Sequence, residues 1–275
     1  MKKTLLIAAA ALAAGVISSQ AQVYSQNVVG YVNQTIPAGG FEIASSQLIN
    51  GSDANETNGD VNTLFANGLV SSPNDPPNLS SNTQLYVWQP GGGYITYYYF
   101  NAADAVTWNG AGSLPGFYTA AGAYCPATLT SGQASFILNN SGSSLTLTTV
   151  GTVAQGTNVS TIGTGYNLIS LQEPISTNVF GTSYGLPAGM TSSPVDPPTQ
   201  SANDTLFVWK GSGYITYYYF NAADAVTWNG AGSLPGFYTA AGAYLPSTDY
   251  PKVNQGFFLY HNGSPISWTN SFSVQ

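Results

Sequence analysis

The sequence predicts an all-β protein made of two tandem homologous domains, each a β-sandwich or small β-barrel with at most short helical turns. Three observations carry this. Residues 93–124 recur letter for letter as residues 213–244, 120 positions later, and self-similarity at a long fixed period sets the architecture before any local reading. Short aromatic and β-branched runs are punctuated throughout by Gly, Pro and Asn, the pattern of sandwiches and barrels. Sustained 3.6-residue periodicity is absent outside two stretches, 60–68 and 177–185, each of which reads as one helical turn.

Residues 1–21 read as a secretory signal peptide. Lys2 and Lys3 form the positive start, residues 5–17 the apolar segment, and Ser19-Gln20-Ala21 the small-residue cleavage site. The apolar run is short for a bilayer span of about 20 residues, and no later segment is long and apolar enough for one. The expected location is extracellular or at the cell surface, with the periplasm as the alternative.

The first domain, 22–148, and the second, 149–275, follow from matched segments. Leu85-Tyr86-Val87-Trp88 matches Leu206-Phe207-Val208-Trp209, and Gly40-Phe41-Glu42-Ile43-Ala44-Ser45 matches Gly165-Tyr166-Asn167-Leu168-Ile169-Ser170. Gln133-Ala134-Ser135-Phe136 matches Gln255-Gly256-Phe257-Phe258. Val29-Gly30, Val32 and Gln34 match Val150-Gly151, Val153 and Gln155, which places the boundary just before Thr149. In each domain the Val-Trp strand runs through a Gly-rich turn into the strand 94–100 or 214–220, a hairpin signal. Gly142-Ser143 and Asn262-Gly263 mark a second hairpin.

The opening Tyr24-Ser25-Gln26-Asn27-Val28-Val29-Gly30-Tyr31-Val32-Asn33, then Ile36-Pro37-Ala38-Gly39, resembles that of a family of exported repeat-containing proteins common in Verrucomicrobia. Gly165-Tyr166-Asn167-Leu168-Ile169-Ser170, Gln255-Gly256-Phe257-Phe258-Leu259 and the ending Phe272-Ser273-Val274-Gln275 are similar to the same family. The resemblance spans most of the chain after residue 21. It implies strands and turns, and brings no activity and no catalytic residues. Ala134-Ser135 departs from the pattern, where a Gly-aromatic pair is expected.

Charge narrows the function classes. After residue 21 the chain keeps two lysines, no arginine and eleven acidic residues, a formal charge of −9. Nucleic acid and anionic lipid therefore have no basic face to bind. The single cysteine, Cys125, has Leu245 as its counterpart and reads as a buried thiol.

No catalytic set emerges, and the protein reads as a non-enzyme. The one histidine, His261, sits on a strand beside a hairpin turn and reads as a surface residue. Zinc would need three or four ligands. Asp104 and Asp224, like Asp75 and Asp196, occur once per domain in turn and cap contexts, unlike the paired carboxylates of glycoside hydrolysis. The loop bearing Asp53, Asn55, Asn58 and Asp60 offers oxygen ligands for calcium, but its spacing departs from the EF-hand pattern and a solvated loop is the preferred reading. No other cofactor is implied.

Two functions remain. The first is a secreted structural or adhesive surface protein that associates with itself or with other surface proteins through strand edges. The alternative is a carbohydrate-binding module. It would use Tyr97, Tyr99 and Trp108, with Tyr217, Tyr219 and Trp228, as two equivalent stacking platforms for polysaccharide. Burial of these side chains would remove its main support.

Overall fold

In a computed structural model, the protein is described over residues 29–49, 59–65, 68–74, 77, 81–89, 91–175 and 185–273. Residues 1–21, the expected signal peptide, lie outside these residues, as do Asp53, Asn55, Asn58, Asp75 and most of the 177–185 stretch. The first half contains β1 (Val29–Ile36), β2 (Phe41–Ser45), β3 (Leu48–Ile49), β4 (Gly59–Asp60), α1 (Val61–Leu64), β5 (Gln84–Trp88) and β6 (Tyr94–Phe100). It continues with α2 (Ala102–Asn109), β7 (Gly116–Tyr118), β8 (Thr128–Leu129), β9 (Ala134–Leu138) and β10 (Leu145–Val153). The second half contains β11 (Gly156–Ile162), β12 (Gly165–Ile169), β13 (Thr205–Trp209), β14 (Tyr214–Phe220), α3 (Ala222–Asn229), β15 (Gly236–Tyr238), β16 (Phe257–His261) and β17 (Ile266–Phe272).

The protein is all-β, and every named sheet pairing is antiparallel. Each half holds a five-stranded sheet of equivalent order, β2-β9-β5-β6-β7 in the first and β12-β16-β13-β14-β15 in the second. Strands alternate their side chains between faces, so each sheet has two buried faces to fill. One face packs on its own half's core. In the first half this core includes Ile36, Leu85, Tyr97, Tyr99, Phe117, Ile137 and Leu147, and Leu145 and Leu147 come from the ribbon β1-β10. In the second it includes Ile162, Leu206, Tyr217, Tyr219, Phe237, Leu259 and Trp268, with Ile162 and Trp268 from the ribbon β11-β17.

The opposite faces of the two sheets meet each other. Ile43, Ala134 and Phe136 from the first half form one cluster with Leu168 and Phe258 from the second, and Phe41, Tyr86, Trp88, Phe207 and Trp209 pack around it. The layers therefore run ribbon, sheet, sheet, ribbon.

The expected boundary before Thr149 lies along β10, which stays paired with β1 from Leu145–Ile36 to Thr152–Val29. An eight-residue ladder keeps this strand in the first half. The strand that occupies the place of β1 in the second half is β11, paired with β17. Asn-Ala-Ala-Asp, which the sequence marks as a turn or cap, opens two-turn helices, with Asn101 Oδ1 accepting from the Asp104 amide and Asn221 Oδ1 from the Asp224 amide. An asparagine N-cap satisfies one of the orphan donors of the first turn. The duplicated carboxylates are spent locally: Asp104 accepts from Ser71 Oγ and Asp224 from Ser192 Oγ.

Candidate functional site

The proposed stacking platforms do not form. Tyr97, Tyr99, Tyr217 and Tyr219 are buried in the two cores, because they occupy the inward face of β6 and β14. Trp108 and Trp228 are half-buried and stack on Phe100 and Phe220 at 4.3 Å between ring centroids, which occupies one face of each indole.

His261 is also misplaced by the sequence reading. It is buried, with Nδ1 2.7 Å from Asp204 Oδ2 and Nε2 2.8 Å from the Ser264 carbonyl oxygen. The same Asp204 carboxylate accepts from the amides of Thr191 and Asn262. This group fastens three segments, and both ring nitrogens have partners. The first half has a neutral equivalent: Asn139 donates to the Pro37 and Ser143 carbonyls, and Thr83 Oγ1 accepts from the Val70 amide.

Asp60, the described member of the calcium cluster, caps α1. It accepts from the Asn62 amide, and its carboxylate also takes Asn62 Nδ2 and Thr63 Oγ1. Among the described residues no group of three or more His, Cys, Asp or Glu is placed to hold a metal ion. Cys125 is buried beside Tyr97, and burial pushes its thiol pKa up.

The feature that sequence reasoning missed is the seam between the halves. Its bonds come in reciprocal pairs. Trp88 Nε1 donates to the Tyr166 carbonyl at 3.3 Å, and Trp209 Nε1 donates to the Phe41 carbonyl at 3.0 Å. Gln133 bridges to Ile169 as Ala44 bridges to Gln255. The Ser170 amide donates to Gly132 at 2.7 Å as the Ser45 amide donates to Asn254 at 3.1 Å. Each pair joins sequence counterparts, so the contact has the self-complementarity of a two-fold dimer interface built within one chain.

Aromatic edges fill the seam. Trp88 meets Phe258 at 5.4 Å and Phe136 meets Trp209 at 5.7 Å, both T-shaped, the geometry that ring quadrupoles favour. Tyr94 and Tyr214 lie at its rim. Burial pushes the Tyr94 phenol up to about 12. Tyr214 is raised by burial and by the neighbouring Tyr94 phenol.

The seam also explains Ala134. A Cβ on Gly256 would lie 2.4 Å from Ala134 Cβ and 2.4 Å from Ile43 Cγ2. The two counterparts touch across the seam, and there is room for one methyl group between them.

Beside the seam opens a cleft of about 940 Å³. One wall comes from residues 128–134 with Val87 and Trp88, the other from residues 159–161 and 163–169 with Gln172. Its described lining contains no charged residue.

No protein-family model, curated protein or solved structure matches this chain. Among the described residues no helix is long and apolar enough to cross a membrane.

Proposed function

We propose that the protein is an exported, non-catalytic structural protein that associates with copies of itself at a surface. One observation carries this reading: the contrast between its inner and outer strand edges. The five-stranded sheets end in three-residue strands, β7 and β15, on one side. On the other side, β2 and β12 are bridged to the opposite half. The outer ribbons are different. Among the described residues β1 and β11 are edge strands of eight and seven residues. Neither they nor β17 contain a charged residue or a proline. Natural sheets guard exposed edges with Lys, Pro, bulges or short strands, and a long unguarded edge is a template for another strand. Exposed apolar side chains accompany these edges, with Tyr31 on β1 72% and Val159 on β11 54% accessible.

Support for a non-catalytic role comes from His261, whose two ring nitrogens are both engaged. The test is light scattering with negative-stain microscopy on the chain from Gln22 onward, across concentration. Ordered assemblies that grow with concentration are expected, and Tyr31→Lys with Val159→Lys should disperse them. A strict monomer at every concentration, or assemblies indifferent to both lysines, would refute the proposal.

A further inference from the structure

The cleft beside the seam has a chemistry that self-association does not use. Its described lining is neutral throughout. Hydroxyls come from Thr128, Thr130, Ser160 and Thr161, amides from Gln133 and Gln172. Trp88 and Tyr166 belong to the lining, their ring centroids 6.3 Å apart, and Tyr166 is 45% accessible. The volume is in the range of about 300–1,000 Å³ typical of small-ligand sites, but such sites are usually lined mostly by apolar groups. An anionic ligand would find no cation here.

A neutral sugar chain fits each of these features. Its ring faces are C–H surfaces that lie against aromatic rings, and its hydroxyls both donate and accept. The lining hydroxyls do the same, while Gln133, whose Oε1 accepts from the Thr130 amide, offers Nε2 and Gln172, whose Nε2 donates to the Val159 carbonyl, offers Oε1.

The cleft is also held open by fixed bonds. Ser131 Oγ donates to the Gln172 carbonyl at 3.1 Å, and the Ser170 amide donates to the Gly132 carbonyl at 2.7 Å. Both bonds join the first half to the second, so the two walls cannot drift apart while the seam is intact. A preformed site avoids the ordering cost that weakens mobile ones.

We propose that this cleft binds a segment of a neutral polysaccharide, with the sugar rings against Tyr166 and Trp88 and the hydroxyls bonded by the threonine, serine and glutamine side chains. This goes beyond the self-association reading and does not depend on it, since a monomer would bind equally.

The experiment is calorimetric titration of the chain from Gln22 onward with four neutral hexasaccharides: cello-, xylo-, manno- and malto-hexaose. A hexamer of galacturonic acid serves as the anionic comparison. At least one neutral hexamer is expected to saturate with a Kd between about 10 μM and 1 mM, a range common to modest ligand affinities. Thr161→Trp fills the cleft from an exposed strand position, and Tyr166→Ala removes the accessible ring. Each should weaken binding at least tenfold, with unfolding temperature measured alongside. The proposal is overturned if no neutral hexamer saturates at about 10 mM, a concentration that would reveal even millimolar binding. Equal affinity in a folded Thr161→Trp or Tyr166→Ala variant, or preference for the galacturonate hexamer, would also overturn it.

Discussion

Gly256→Ala is the most informative single substitution. Gly256 precedes β16 and packs against Ala134 and Ile43 of the other sheet. The added Cβ would sit 2.4 Å from Ala134 Cβ and from Ile43 Cγ2, and 3.2 Å from the Ile169 carbonyl oxygen. Carbon atoms rest about 3.5–4.0 Å apart, so the sheets must separate locally by more than about 1 Å. Overpacking of this kind costs about 1–3 kcal/mol. At about 2–4 °C per kcal/mol for a protein of this size, the unfolding temperature should fall by about 2–12 °C. Ala134→Gly removes one of the two blocking methyl groups. The double variant should therefore be more stable than the sum of the two single changes predicts, by at least about 0.5 kcal/mol. Differential scanning calorimetry on the four proteins of the cycle reads both quantities. An unchanged unfolding temperature for Gly256→Ala, or a strictly additive cycle, would refute the packing of Gly256 on Ala134.

Two further predictions concern buried polar groups. Asp204→Ala leaves His261 Nδ1 and two backbone amides without their partner, and each buried polar group left unsatisfied costs about 1–3 kcal/mol. Asp204→Thr with His261→Asn installs the residues that the first half uses at these two positions, Thr83 and Asn139, and should cost less than either single change in chemical denaturation. A double variant as unstable as the sum of its parts would show that the two halves do not share this scaffold. Glu173 is fully buried, and its Oε1 accepts from Asn158 Nδ2 at 2.7 Å. Its Oε2 has no partner among the described residues. Burial raises the carboxyl pKa, opposed more weakly by the Asn158 bond. With the folded value above the unfolded one, the folded state holds the proton more tightly. Stability from this group is complete below the unfolded value of about 4.3 and is lost as pH rises through the raised folded value. Glu173→Gln should flatten that slope and raise the unfolding temperature at pH 7, and a lower unfolding temperature there would contradict the reasoning.

What the sequence disclosed was local. The runs at 85–88, 94–100 and 206–209 and their Gly-rich turns announce hairpins because strand chemistry and turn chemistry agree there. The helices Ala102–Asn109 and Ala222–Asn229 escaped because two turns carry too little periodicity to see. Their signal was the capping pattern, Asn three residues before Asp, with a closing Gly110 and Gly230 at φ +93° and +94°. The burial of His261 was hidden because its partner, Asp204, is 57 residues away.

The seam was illegible for a different reason. Alternation says that a strand has two faces, and both faces of 94–100 are aromatic. It does not say which face meets the same half and which meets the other. Tyr97 and Tyr99 proved to face their own core, while Tyr94 faces the seam with Trp88 and Phe136. The one trace in the sequence was the exception at Ala134, where two counterparts differ because they share one space.

The cleft and the arrangement of the outer ribbons both depend on the two halves packing face to face. The most direct test is the nuclear Overhauser effect between the Trp88 and Phe258 side chains in the isotopically labelled chain. Their ring centres lie 5.4 Å apart across the seam, so cross-peaks between the indole and phenyl protons are predicted. Their absence in a chain whose intra-sheet contacts, such as Leu85 to Tyr97, are intact would mean that the halves fold without meeting, and would contradict the account.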